Sequence, residues 1–97
     1  MDLKLAGKSV IVTGGGANIG RAIAHRFAEE KANVVIAEWD ETQGKKVEQE
    51  LKDMGAKVLF IQTDVTNNDQ VVAMVKKATD TFGQVDILAN NVGWDID

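Results

Sequence analysis

Four short runs of apolar, largely β-branched residues recur along this chain. Each of the first three is followed by a segment whose apolar residues repeat every three to four positions. A run apolar on both faces marks a buried strand, and a period near 3.6 marks a helix, so the alternation predicts β-α-β-α-β-α-β. The first strand is Ser9-Val10-Ile11-Val12-Thr13, and a helix over residues 18–31 follows it, with Ile19, Ile23 and Phe27 on one face. Residues 34–37 form the second strand. Asp40-Glu41-Thr42-Gln43 reads as a capping box that opens a helix with the stripe Val47, Leu51 and Met54, and Gly55 closes it. Residues 57–62 give the third strand and 66–82 the third helix, with Val71, Val75, Ala78 and Phe82 on one side. Gly83 ends that helix, and residues 85–89 give the fourth strand. Right-handed crossovers turn this order into one α/β domain over residues 1–97, with a parallel sheet in strand order 3-2-1-4 and helices on both faces. That order puts the loop after the first strand at the switch point where ligands of such folds bind.

Composition narrows the class of function. Fifteen Asp and Glu against eleven Lys and Arg give a net charge of −4, which disfavours a general nucleic-acid binder. No apolar stretch approaches the length of a membrane span. No cysteine occurs, so disulfides and thiolate metal sites are excluded, and a cytoplasmic location is the expectation.

The loop after the first strand contains Gly14, Gly15, Gly16 and Gly20. Such a loop gathers unpaired N–H groups at the positive end of a helix, a place that attracts phosphate. The spacing G-x-G-x-x-G fails, because Ile19 stands where its last glycine belongs. The triphosphate-binding pattern G-x-x-x-x-G-K-[ST] also fails, with Arg21 and Ala22 in place of its Lys and hydroxyl. A third pattern, T-G-x-x-x-G-x-G, matches at Thr13, Gly14 and Gly20, with Asn18 in its middle-glycine position. Asn enters the left-handed region more readily than other non-glycine residues, so the backbone path is expected to survive there. The alternative is a tight turn that holds no ligand.

Three further features fall in register at strand ends: Glu38, the pair Asp64-Val65, and Asn90-Asn91-Val92-Gly93. With these the chain resembles the short-chain dehydrogenase/reductase family along nearly its whole length. The resemblance implies a Rossmann-like three-layer sandwich and a dinucleotide cofactor. It places Gly14, Asn18, Ile19 and Gly20 by the phosphates, Glu38 on the adenosine ribose, and Trp39 flanking the adenosine. Asp64 would face the adenine amino group, Val65 would add backbone contacts, and Asn90 and Gly93 would pass beside the cofactor ribose. A carboxylate at Glu38 with no adjacent cation favours NAD over NADP. Read without the family, Glu38 is a solvated charge at a strand end and Asp64 the start of a turn. Lys31 stands where relatives commonly carry a helix-ending glycine, so this helix end is either strained or capped at Asn33.

The family's hydride transfer uses a Tyr as acid/base, a nearby Lys and a Ser, all after the fourth strand. The 97 residues contain no tyrosine, and Asp95 and Asp97 read as a flexible terminus. The expectation is therefore an NAD-binding half of an alcohol dehydrogenase or ketoreductase that holds no catalytic or metal-ligating residue and is inactive alone. Its parent would assemble as a homotetramer, and the open edge of the fourth strand favours self-association. Two alternatives stand beside this: a structural or engineered half-fold that binds nucleotide weakly or not at all, and a methyltransferase fragment for S-adenosylmethionine. The Asn-Asn-x-Gly turn argues against the latter.

Overall fold

The structure is a computed structural model that describes residues 4–91. Its elements are β1 (Ser9–Thr13), α1 (Asn18–Glu29), β2 (Asn33–Glu38), α2 (Glu41–Asp53), β3 (Val58–Gln62), α3 (Asn68–Phe82) and β4 (Ile87–Asn90). The strands form one parallel sheet in the order β3-β2-β1-β4, as the alternation predicts. Val10 lies opposite Val34 on one side and Ile87 on the other, and Thr13 lies opposite Ala37 and Asn90.

Alternation along the central strands sends side chains to two separate cores. Val10, Val12, Val34 and Ile36 meet Ala24 and Ala28 of α1 and Val47 and Leu51 of α2. Ile11, Val35 and Ala37 point the other way, onto Met74 and Ala78 of α3. Each fully buried valine or isoleucine contributes roughly 1.5–3 kcal/mol relative to exposure. The sheet is thus sandwiched between α1 and α2 on one face and α3 on the other. Alanines in α1 and Gly44 in α2 bring the helices close to the strands. A Cβ on Gly44 would overlap the ring of Phe60 in β3, so only glycine allows this approach. One turn on, Glu48 Oε2 accepts the Phe60 N–H at 2.8 Å and ties α2 to the same edge strand. At the start of β4, the Ser9 N–H donates to Asp86 Oδ2 and the Asp86 N–H donates to the Ser9 carbonyl, both at 2.9 Å.

The helix signals hold in kind and shift in detail. Asp40 caps α2 by accepting the Gln43 N–H at 3.1 Å, and Gly55 and Gly83 take φ of +85° and +87° after α2 and α3. The capping box is half formed, because the Asp40 N–H goes to Glu38 Oε1 rather than to Gln43. Helix α1 ends at Glu29, and Lys31 adopts φ +68°, the left-handed conformation that a glycine takes without strain. Ile19 is 68% exposed rather than part of the α1 core face, since it sits in the first turn, beyond the end of the sheet. Met54 and Val75 are also exposed. The buried stripe of α3 runs through Met74 and Ala78, with Val71 and Phe82 packed beside them, so Met74, three residues after Val71, takes the inward place expected of Val75. Among the described residues no helix is long and apolar enough to cross a membrane.

Candidate functional site

The C-terminal ends of β1, β2 and β3 open onto a cleft of about 570 Å³, lined by the loop after β1, the end of β2 and the segment after β3. Gly14 turns the chain out of β1 with φ +67°, and its N–H donates to the Ala37 carbonyl at 2.8 Å. The loop closes on itself when the Ala17 N–H reaches the Gly14 carbonyl at 3.1 Å. A Cβ on Gly20 would overlap that same carbonyl, so the first turn of α1 rests directly on the loop only because Gly20 has no side chain. Asn18 is the first helical residue and has no positive φ. The left-handed conformation expected there falls on Gly14 instead, because the turn is completed before Asn18 is reached.

Helix α1 begins without a cap. Ala17 occupies the N-cap position with φ −82° and ψ 163°, no side chain among the described residues caps the helix, and no acidic residue lies in the first turn. The N–H groups of Asn18, Ile19 and Gly20 therefore have no acceptor within the helix, and the positive end of its dipole is uncompensated. The body of the helix is held from the side. Arg21 clasps Glu50 of α2 through Nε and Nη2, both at 2.8 Å, and His25 Nε2 lies 2.9 Å from Glu50 Oε1. The hydrogen bonds from Arg21, followed by that from His25, lower the Glu50 carboxyl to about 2.

Two carboxylates line the cleft. Glu38 Oε2 accepts the Gly16 N–H at 3.2 Å and Oε1 accepts the Asp40 N–H at 3.1 Å. Asp64 Oδ1 accepts the Thr66 hydroxyl at 2.6 Å and the Thr66 N–H at 2.9 Å, contacts that hold its carboxyl below the ordinary aspartate value. Trp39, 61% exposed, forms part of the rim. At the base, the buried Thr13 hydroxyl donates to Asn90 Oδ1 at 2.8 Å and accepts the Asn91 N–H at 3.0 Å, joining the ends of β1 and β4. An adjoining apolar hollow of about 320 Å³ shares Thr13, Val65 and Thr66 with the cleft and extends to Met74, Leu88 and Asn90.

Of the residues singled out in the sequence, the cleft brings together Gly14, Glu38, Trp39, Asp64 and Val65. Asn90 lines the adjoining hollow, Gly20 is packed beneath Gly14, and Asn18 and Ile19 stand exposed at the start of α1. Gly93 lies outside the described residues, as do Val92, Asp95 and Asp97. The sequence reading missed the Thr13 bridge, the Glu38 hold on Gly16 and the Arg21–Glu50–His25 clasp. Thr13 carried a signal, being a hydroxyl at the C-terminal end of a strand whose middle is Val10-Ile11-Val12. The other two join residues far apart in sequence and leave no local pattern.

Chemically, the arrangement offers unpaired N–H donors for an anionic group and two carboxylate acceptors for hydroxyl or amino groups. No Lys or Arg is among the residues lining the cleft. Fold and cleft together define a doubly wound α/β protein whose cleft opens at the switch point between β1 and β4. The chain belongs to the short-chain dehydrogenase family, whose model matches residues 8–97. It is 48% identical over 87 residues to an uncharacterized oxidoreductase of Thermotoga maritima, covering 90% of this chain and 34% of that protein. Among solved structures, hydroxysteroid dehydrogenase from Escherichia coli superposes with a TM-score of 0.91 at 34% identity, covering 99% of this chain and 41% of that one. A NAD+-bound xylitol dehydrogenase superposes with a TM-score of 0.90 at 34% identity, covering 94% of this chain and 35% of that one. The chain spans about a third of the length of the curated relatives it matches.

Proposed function

We propose that residues 1–97 are the dinucleotide-binding unit of an oxidoreductase acting on an alcohol or ketone, with NAD preferred over NADP. The observation that carries this reading is the pairing of an uncapped, donor-rich helix start with the Glu38 carboxylate in a cleft that no Lys or Arg lines. In this reading the N–H groups of Asn18, Ile19 and Gly20 face the phosphates, and Gly14 keeps the loop low enough for them to approach. Glu38 accepts the adenosine ribose hydroxyls and repels a 2′-phosphate. Arg21, the first cation after the glycine loop in sequence, is already committed to Glu50. Trp39 flanks the adenosine, Asp64 takes the adenine amino group, and Val65 adds backbone contacts. Asn90, held by Thr13, and Gly93 border the ribose on the nicotinamide side.

When bound, the nicotinamide supplies or accepts a hydride. The residues named here bind and orient the cofactor and exclude a charged 2′ group. NAD-bound family members of the same fold support the assignment of a dinucleotide. Isothermal titration with NAD, NADP, ADP-ribose and S-adenosylmethionine tests it. Saturable NAD binding with NADP several-fold weaker is the expected result, whereas equal affinity for NADP removes the role given to Glu38. Binding of S-adenosylmethionine alone overturns the reading. The proposal extends to self-association along β4, where Leu88 is 61% exposed and, among the described residues, the strand pairs only with β1. A concentration-independent monomer by light scattering overturns that part.

A further inference from the structure

The two oxygens of Glu38 are engaged before any ligand arrives. Oε2 holds the N–H of Gly16, in the middle of the glycine loop, and Oε1 holds the N–H of Asp40, the N-cap of α2. Gly16 is also confined sterically. A Cβ there would lie 2.8 Å from Gln43 Cβ and 3.1 Å from Glu38 Cγ, so the loop is seated between the acid and the first turn of α2. We propose that Glu38 is a positioning residue for the glycine loop: it clamps the loop to the start of α2, and thereby sets affinity for the diphosphate part of the ligand as well as for the ribose.

A carboxylate has about four lone-pair sites over its two oxygens, so accepting two N–H groups leaves two for ribose hydroxyls. The clamp and ribose recognition are therefore compatible in one side chain. Hydrogen bonds to an ionised acceptor are the stronger kind. Without them Gly16 loses its tie to β2 among the described residues, leaving the loop held there by Gly14 alone, and the Gly16 part of the loop must be ordered at the moment of binding, which lowers apparent affinity by the fraction of time it is misplaced. Glutamate also has the reach that aspartate lacks. Shortened by one methylene, the carboxylate withdraws from contacts already at 3.1–3.2 Å while keeping its charge.

The affinity half of this inference rests on the dinucleotide reading, and the experiment separates the two. Amide exchange is measured by NMR on the ligand-free protein and on Glu38→Gln and Glu38→Asp, with the β1 amide of Ile11 as an internal reference for intact folding. Titrations use NAD, NADP and 2′,3′-dideoxy-ADP, which has a diphosphate but neither ribose hydroxyl. A residue that recognises only the ribose leaves dideoxy-ADP affinity unchanged when altered. The clamp predicts that both variants lose about fivefold to tenfold for dideoxy-ADP and that their Gly16 amide exchanges about tenfold faster, with Ile11 unmoved. It also predicts that Glu38→Asp, still charged, keeps its discrimination against NADP, while Glu38→Gln relaxes it. Unchanged dideoxy-ADP affinity and unchanged Gly16 exchange in both variants overturn the proposal. If the unaltered protein binds neither NAD nor dideoxy-ADP, the dinucleotide reading and the affinity half fall together, and Gly16 exchange alone decides whether the clamp exists.

Discussion

Helices α2 and α3 start on acceptors from their own chain. Asp40 takes the Gln43 N–H and Asn67 takes the Gln70 N–H, and each helix carries an acid in its first turn, Glu41 or Asp69. Helix α1, which follows the glycine loop, has neither a capping side chain nor a first-turn acid. The difference is chemical rather than geometric, because the N-cap backbone is extended in all three. A cap fills the donors that an incoming anion would use; α2 and α3 are capped, and the helix that follows the glycine loop is left open. In the proposed function, the stability forgone at an uncapped start, typically about 1 kcal/mol, is the counterpart of donors kept open for an anion.

The largest expected effect comes from closing the loop against its helix. Gly20→Ala drives a Cβ into the Gly14 carbonyl. It should destabilise the fold by about 1–3 kcal/mol, as overpacking does, and abolish detectable NAD binding, read by thermal melting and titration. Retention of full affinity would mean that the first turn of α1 does not need to rest on the loop. Next, Ala17→Asp gives α1 the kind of cap that α2 has, at a position whose backbone already suits one. Stability should rise by about 1 kcal/mol while NAD affinity falls about tenfold or more through competition and repulsion. If the two quantities rise together, the contrast between the helix starts has no functional content. In the opposite sense, Asn67→Ala should cost about 1 kcal/mol in denaturant unfolding and leave NAD affinity unchanged, because α3 starts on packing duty alone.

The smallest effect concerns the side-on anchor of α1. The Glu50 carboxyl is lowered from 4.5 to about 2 in the folded protein by Arg21 and His25. A depressed folded value means that the stabilisation is fully present above about pH 4.5 and drains away as pH falls towards 2. With Arg21 half exposed, the gain is about 0.5 kcal/mol rather than the full linkage value. Glu50→Gln should therefore be slightly less stable than the unaltered protein at pH 7 and indistinguishable from it near pH 2. A gap that persists at pH 2 would assign the effect to packing instead.

Much of the fold was legible because its signals are local. Val10-Ile11-Val12, apolar on both faces, is a strand covered on both sides, and Asp40, Gly55 and Gly83 punctuate helices through their own backbone chemistry. Periodicity misled where an apolar residue sits in a helix end that overhangs the sheet, as Ile19 does, and where a stripe drifts from Val75 to Met74. Lys31 shows that a left-handed position can be filled by a residue that gives no hint of it. In the site, Glu38 and Asp64 were readable from their strand-end positions and the family pattern. Their partners Gly16 and Asp40 were not, since hydrogen bonds to backbone N–H groups select for geometry and leave no residue type behind; Thr66, which also gives its hydroxyl to Asp64, left a local signal that went unread.

The reciprocal pairing of Ser9 with Asp86 spans 77 positions, and its meaning extends to how the protein is made. β1 leaves the ribosome before the other three described strands yet occupies the middle of the sheet, so it acquires its β2 neighbour early and waits for β4 until nearly all the described chain has been synthesised. Throughout that interval one flank of the strand that ends up buried at every position is open, a template for pairing with other nascent chains. Asp86 is the late-made contact that closes this flank, joined to Ser9 by one hydrogen bond in each direction.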